Sequence, residues 1–226
     1  MTPDQSLGLM APKRSRTAPI QEYLERASDE VLALFPDAAG LTLEERRGII
    51  ARYTAILEGN FIYWMTATRL AVTTDTAYAI IDDNLREEVR DNHPGMLRRF
   101  AVAAGAIPTD ADAVAVTPDL ERVRRFVGQL SGPRILAMMA FFEGWITRFM
   151  PYLAELGRRQ GSAEQEYTDV HGVVDVVHSQ ELFRALEAEL ALAGDTPEPA
   201  GLSTGVDLLA ALIHTIMHPG LRVPRR

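Results

Sequence analysis

The sequence predicts an all-α bundle of about seven to eight helices, and three observations lead there. Apolar residues recur at helical spacing almost throughout the chain. No segment alternates convincingly as a strand. The breaks between periodic segments are short and rich in Gly, Pro and Asp, which leaves long amphipathic helices to pack antiparallel around a shared interior.

In chain order, residues 1–16 read as a flexible polar tail carrying Lys13, Arg14 and Arg16. Helices are expected near 18–35, 42–73, 75–91, 94–105, 118–130, 133–158, 163–193 and 203–217, as one helical domain over 17–226. Thr42-Leu43-Glu44-Glu45 and Ser162-Ala163-Glu164-Gln165 fit the capping box, in which each end satisfies an orphan backbone donor. Thr117-Pro118 and Gly132-Pro133 each put Pro where a helix starts. Val114 to Thr117, the one β-like stretch, is bracketed by Pro108 and Pro118 and reads as a loop. The links are 36–40, 105–112, 131–132, 157–161 and 194–201.

Composition narrows the function. With no cysteine among 226 residues, disulfides, iron–sulfur clusters, thiolate metal sites and cysteine nucleophiles are all excluded. Any metal must be held by His, Asp and Glu, which suits iron, manganese or zinc. A net charge of −8 argues against nucleic acid as a partner. The longest apolar candidate, Ile135 to Met150, is interrupted by Glu143 and Arg148, so no membrane span is expected and the cytoplasm is the default location.

The chemistry concentrates in a few residues. On a helix, His171, Asp175 and His178 project at about 0°, 40° and −20° around the axis, one narrow stripe. Two imidazoles and a carboxylate there can donate lone pairs to a common point, a metal half-site. Val170, Val173, Val174, Val176 and Val177 suggest that this helix is buried. Glu143 has apolar or aromatic neighbours on every side, in Ile135 to Ile146. Burying its charge unpartnered costs several kcal/mol, so it has a cation nearby, is protonated, or reaches the surface. Glu58 looks similar on its own apolar helix. Glu88 and His93 would point about 140° apart on an unbroken helix. They can share a metal only if the helix ends between them, and Asn92 with Pro94 allows that. Glu87, Arg86 and Arg90 read as a solvated charge run.

Glu58, Glu88, His93, Glu143, His171, Asp175 and His178 thus offer four carboxylates and three histidines, enough to balance two divalent ions inside a bundle. The Glu-x-x-His pairs of ferritin-like sites are missing. Asn84-x3-Glu88, Asn92-His93-Pro94, Glu143 and His171-x3-Asp175-x2-His178, in this order, resemble the haem-oxygenase-like di-iron oxidases, relatives of the TenA and PqqC fold, over about residues 42 to 193. Where that family has a glycine-rich stretch after the Glu, this chain has Val89-Arg90-Asp91.

The resemblance implies a haem-oxygenase-like bundle with two iron ions held by those Glu, Asp and His residues. Members with a seventh ligand take it from the first core helix, here Glu58, and those members N-oxygenate. It further implies O2 as co-substrate, an external electron donor, and a small-molecule substrate, with Glu58, Glu88, Glu143 and Asp175 as the catalytic carboxylates. The expectation is N-oxygenation of an amine or guanidine-like compound in natural-product biosynthesis. The alternative at the same centre is oxidative C–C cleavage or decarboxylation of an amino or fatty acid. A different class is a non-catalytic binding bundle with a vestigial metal site.

A TenA-like hydrolase lacks its cysteine here, and a haem protein does not need three clustered ligands. Phe61, Trp64, Phe142, Trp145 and Tyr167 could line a pocket or simply fill the core. Arg52, Arg69 and Arg148 could clamp a carboxylate or form surface pairs. His214-x3-His218 reads as capping or exposed, and a homodimer is possible.

Overall fold

The computed structural model describes residues 17–193 and 199–220. Among these residues run eight helices: α1 Ala18–Leu32, α2 Leu43–Ala71, α3 Asp75–Arg90, α4 His93–Ala103, α5 Asp110–Val127, α6 Gly132–Arg159, α7 Glu166–Ala193 and α8 Pro199–Met217. No strand occurs among the described residues. The expected N-terminal tail lies outside them, as do residues 194–198 of the 194–201 link and the last six residues of the expected domain.

Helix α6 organises the bundle. Its apolar residues run around the whole circumference, with Leu136, Ala137, Met138, Met139, Trp145, Phe149 and Leu153 all buried, the pattern of a central helix. Helices α7, α8, α2 and α1 pack around it, α3 lies between α2 and α7, and α5 lies between α2 and α8. Trp145 and Phe149 stack at 4.6 Å on its length, and Trp64, Phe142 and Trp145 are core aromatics.

The Thr42 cap forms as expected. Its backbone N–H donates to Glu45 Oε2 at 2.7 Å, and the Glu45 N–H donates to the Thr42 hydroxyl at 3.3 Å. The second expected box does not form. Ser162 accepts instead from the Glu164 N–H at 3.1 Å, a local turn, and α7 begins at Glu166.

Val114 to Thr117 is helical, not a loop. Thr109 caps α5 with Asp112, an Asp in the position usually held by Glu or Gln, so α5 begins before the β-like residues and runs through Pro118. Both Pro118 and Val114, whose carbonyl loses its partner to the proline, lie on the exposed side, where water replaces the missing bond. Asp112 also pairs with Arg47 at 3.0 Å, fastening α5 to α2.

Two apolar segments also depart from expectation. Val173, Val176 and Val177 of α7 are 71%, 44% and 55% exposed, so only one face of this helix is buried; the side chain of Val174 lies outside the described residues. Helix α8 is long and apolar enough to cross a membrane by length and composition, a segment the sequence reading passed over. Here Leu202, Val206, Leu209, Ile213 and Ile216 pack it against α5 and α6 as a core helix.

The joint that matters most to the site lies between α3 and α4. Helix α3 stops at Arg90, and Asn92 takes the left-handed conformation (φ 55°, ψ 47°), after which α4 starts at His93 with Pro94 in its first turn. Pro94 has no N–H with which to continue α3. Asn tolerates the left-handed region better than most residues, and its side chain folds over Gly95, where a Cβ would lie 2.3 Å from Asn92 Nδ2. Replacing Asn92 by Val therefore costs about 1–2 kcal/mol of stability. Replacement by Gly costs much less, and thermal unfolding of the two variants measures the contrast.

Candidate metal centre

Six of the seven residues expected to bind metal converge in the bundle centre, each at most 5% exposed. Glu88, His93 and His171 form one group and Glu143, Asp175 and His178 the other, and within each group the potential ligand atoms lie within 4.8 Å of one another. Four helices supply them: α3, α4, α6 and α7. The α3–α4 break does what the spacing required, bringing His93 Nδ1 to 2.8 Å from Glu88 Oε1. The α7 stripe faces inward as its periodicity predicts.

Both groups open on one cavity of about 20 Å³, lined by Glu88, His93, Glu143, His171 and Asp175 with Leu57, Phe61, Pro94, Leu97, Ile146 and Tyr167. Of the five aromatics that could line a pocket or fill the core, Phe61 and Tyr167 reach the cavity. A space of this size holds about one water molecule, so it suits ions and a diatomic molecule.

His171 Nδ1 donates to the Tyr167 carbonyl at 2.8 Å, which leaves the Nε2 lone pair free for a metal. Burial pushes His171 down to about 4, so the ring is neutral near pH 7. Burial also opposes charge on His93, but the hydrogen bond and negative charge of Glu88 outweigh it and raise its value. Glu143 is raised well above the usual carboxylate range by burial, then by the charges of Asp175 and Glu88. Burial and the Glu88 charge raise Asp175 likewise. Asp175 Oδ2 is buried with no hydrogen-bond partner among the described residues.

These observations test whether a metal fits. Three carboxylates sit together in an apolar interior with no Arg or Lys beside them among the described ion pairs. An orphaned carboxylate oxygen and a neutral imidazole are donors that fit a cation. The donor set is all nitrogen and oxygen, as iron accepts.

Glu58 stands apart. It pairs with Arg98 of α4 and lines, with Asn92, Pro94 and Gly95, a separate outer pocket of about 350 Å³. The reason is angular: Leu57 and Phe61, four residues apart, point into the inner cavity, while Glu58 lies about 100° round the helix from Leu57. Pro94 forms the wall common to both pockets. The three arginines considered for substrate binding are also engaged elsewhere. Arg52 Nε donates to the Ile216 carbonyl at 2.8 Å, Arg69 pairs with Asp82 at 2.6 Å, and Arg148 pairs with Asp29. His218 Nε2 lies 3.2 Å from the Leu34 carbonyl.

Several supporting residues escaped the sequence reading. Glu87, assigned to a solvated run, approaches His178 Nε2 at 3.5 Å. Asn84, named in the sequence only through the Asn84-x3-Glu88 spacing, is buried and donates through Nδ2 to Glu181 at 3.1 Å, a contact the spacing did not show. The Tyr53 and Tyr167 hydroxyls share a 2.8 Å hydrogen bond beside His171. Tyr53 has no local sequence signal, because its partner lies on α7.

The arrangement is that of a carboxylate-rich metal centre inside a helical bundle. A family model described as iron-containing redox enzyme, with a haem-oxygenase-like fold, matches residues 51–201, more than half of the chain; the chain belongs to this family and is an iron-dependent oxidoreductase. A search of the curated proteins finds no match.

The raised carboxylates make the metal-free protein sensitive to pH. Glu143, Asp175 and His93 hold protons more tightly folded than unfolded, so their stabilising contribution is lost as pH rises through the raised values. His171 acts oppositely, but only between its ordinary 6.5 and about 4. Metal-free protein therefore loses melting temperature as pH rises above about 6.5. The Glu143→Gln/Asp175→Asn variant loses less. Ferrous iron reverses the slope, since ligands must deprotonate to bind it. Thermal scans across pH, with and without iron, read all three.

Proposed function

We propose that the chain is a non-haem di-iron, O2-dependent oxygenase acting on a small molecule. The observation that carries this is the pair of adjoining buried triads, Glu88/His93/His171 and Glu143/Asp175/His178, opening on one cavity. Each triad offers a carboxylate and at least one imidazole to an ion. Bound iron supplies the binding and reduction of O2. The protein's part is to orient and protect. Tyr167 fixes the His171 tautomer through its carbonyl, Glu88 and Glu87 do the corresponding work at His93 and His178, and Leu57, Phe61, Leu97 and Ile146 keep bulk water out. Glu143 and Asp175, raised by burial, would bind an ion as deprotonated carboxylates.

The reaction we favour is N-oxygenation of an amine or guanidine-like compound in natural-product biosynthesis. Inserting one oxygen atom releases the other as water and consumes two electrons, hence an external electron donor. In this reading Glu58 must exchange Arg98 for the metal centre. One observation favours the second reading, oxidative C–C cleavage or decarboxylation of an amino or fatty acid: Glu58 is held by Arg98, outside the six clustered groups.

Ferrous loading of the wild type yields two irons per chain and an optical change on exposure to O2. The His171→Ala variant retains about one, and a protein that neither binds iron nor changes its spectrum excludes the oxygenase.

Mass spectrometry after O2 exposure, with amines, guanidines and amino acids, separates the reactions. Gain of one oxygen marks N-oxygenation, and loss of a carbon fragment marks cleavage. Glu58→Ala abolishes N-oxygenation and lowers iron content if Glu58 is recruited; unchanged iron and activity remove it from the site.

A further inference from the structure

Helix α7 has two working faces. The inward face carries His171, Asp175 and His178. About 180° away, Asp169, Val173, Val176, Val177, Gln180 and Arg184 form an exposed stripe within an arc of about 100°. Exposed valines in a row are unusual on a helix that is otherwise well packed, and contiguous apolar surface marks interaction sites. A Cβ added at Gly172, beside the stripe, would meet nothing within 4 Å, so this side of α7 is open. Neither Asp169 nor Arg184 has an ion-pair partner among the described residues, although both are exposed and chargeable.

The order of these residues is self-complementary. Asp169 and Arg184 stand at equal distances on either side of the midpoint between Val176 and Val177, about 11 Å along the axis. A second α7 laid antiparallel across that midpoint puts Asp169 opposite Arg184 twice, with the valines meeting at the centre and Val173 against the stem of Gln180. This is the isologous pattern of a two-fold interface, where each patch is its own partner. A chain of net charge −8 repels its copies in general, but between Asp169 and Arg184 the stripe carries one acid and one base, with the exposed Glu166 and Glu187 flanking its two ends. Glu166, which the symmetry places opposite Glu187, is already paired with Arg99.

We propose that the outer face of α7, Asp169 to Arg184, is a homodimer interface in which two copies pack antiparallel about Val176 and Val177. A single helix pair is small for a stable interface, so the dimer dissociates on dilution. The device also places each metal-ligating stripe one helix thickness from the interface.

The test is sedimentation equilibrium of the full chain over a range of concentrations, with circular dichroism confirming that each variant stays helical. Wild type shows a concentration-dependent dimer, and Val173→Glu/Val177→Glu is monomeric. Asp169→Arg sets like charges opposite each other twice and weakens the dimer roughly tenfold. Adding Arg184→Asp to it restores the wild-type constant. A monomer at every attainable concentration overturns the proposal, as does a dimer indifferent to the valine substitutions. Failure of the charge swap to restore association overturns the antiparallel register.

Discussion

The constraint on which the rest of this structure depends is the burial of three carboxylates with three imidazoles in the middle of an apolar bundle. Each buried charge costs several kcal/mol unless compensated, and no guanidinium or ammonium partners these carboxylates among the described ion pairs. The chain manages this in two states. Without metal, burial raises Glu143 and Asp175 well above the usual carboxylate range and keeps His171 neutral. Beside a bound cation the same groups would be a nitrogen and oxygen donor set whose three carboxylates offset most of its charge. Only a fold that keeps four helices in fixed register can impose such a cost, and the all-round apolar surface of α6 provides that rigidity.

The second layer of the site explains how six donors are aimed. Asn84 meets Glu181 behind Glu88, Glu87 reaches His178, and Tyr167 uses its carbonyl on His171 while its hydroxyl meets Tyr53. Such contacts set tautomers and ring orientations, which govern metal affinity as strongly as ligand identity does.

Much of this was legible in the sequence, for reasons that can be stated. The α7 stripe follows from helical geometry and ligand type, and Glu143 from the cost of a carboxylate in an apolar run. The His93 position was legible as a condition, that the helix break, and the left-handed Asn92 meets it. What escaped is non-local. Whether Glu58 faces the cavity depends on Arg98, forty residues away on another helix. The start of α5 depended on an Asp serving as cap partner, and Pro118 is tolerated because its side of the helix is wet. Valine content alone could not tell α7's inner face from its outer one.

The α3–α4 joint has a consequence for the order in which the molecule assembles. Glu88 and His93 are neighbours in sequence and can meet as soon as two short helices and one turn exist, a contact with little loop-closure entropy to overcome. His171, Asp175 and His178 arrive only when α7 docks, after a long intervening stretch of chain, and contacts of that separation form slowly. Of the six donors, then, only Glu88 and His93 form a contact that is local in sequence. A donor set of all six is therefore a property of the finished fold alone, because four of them come from α6 and α7.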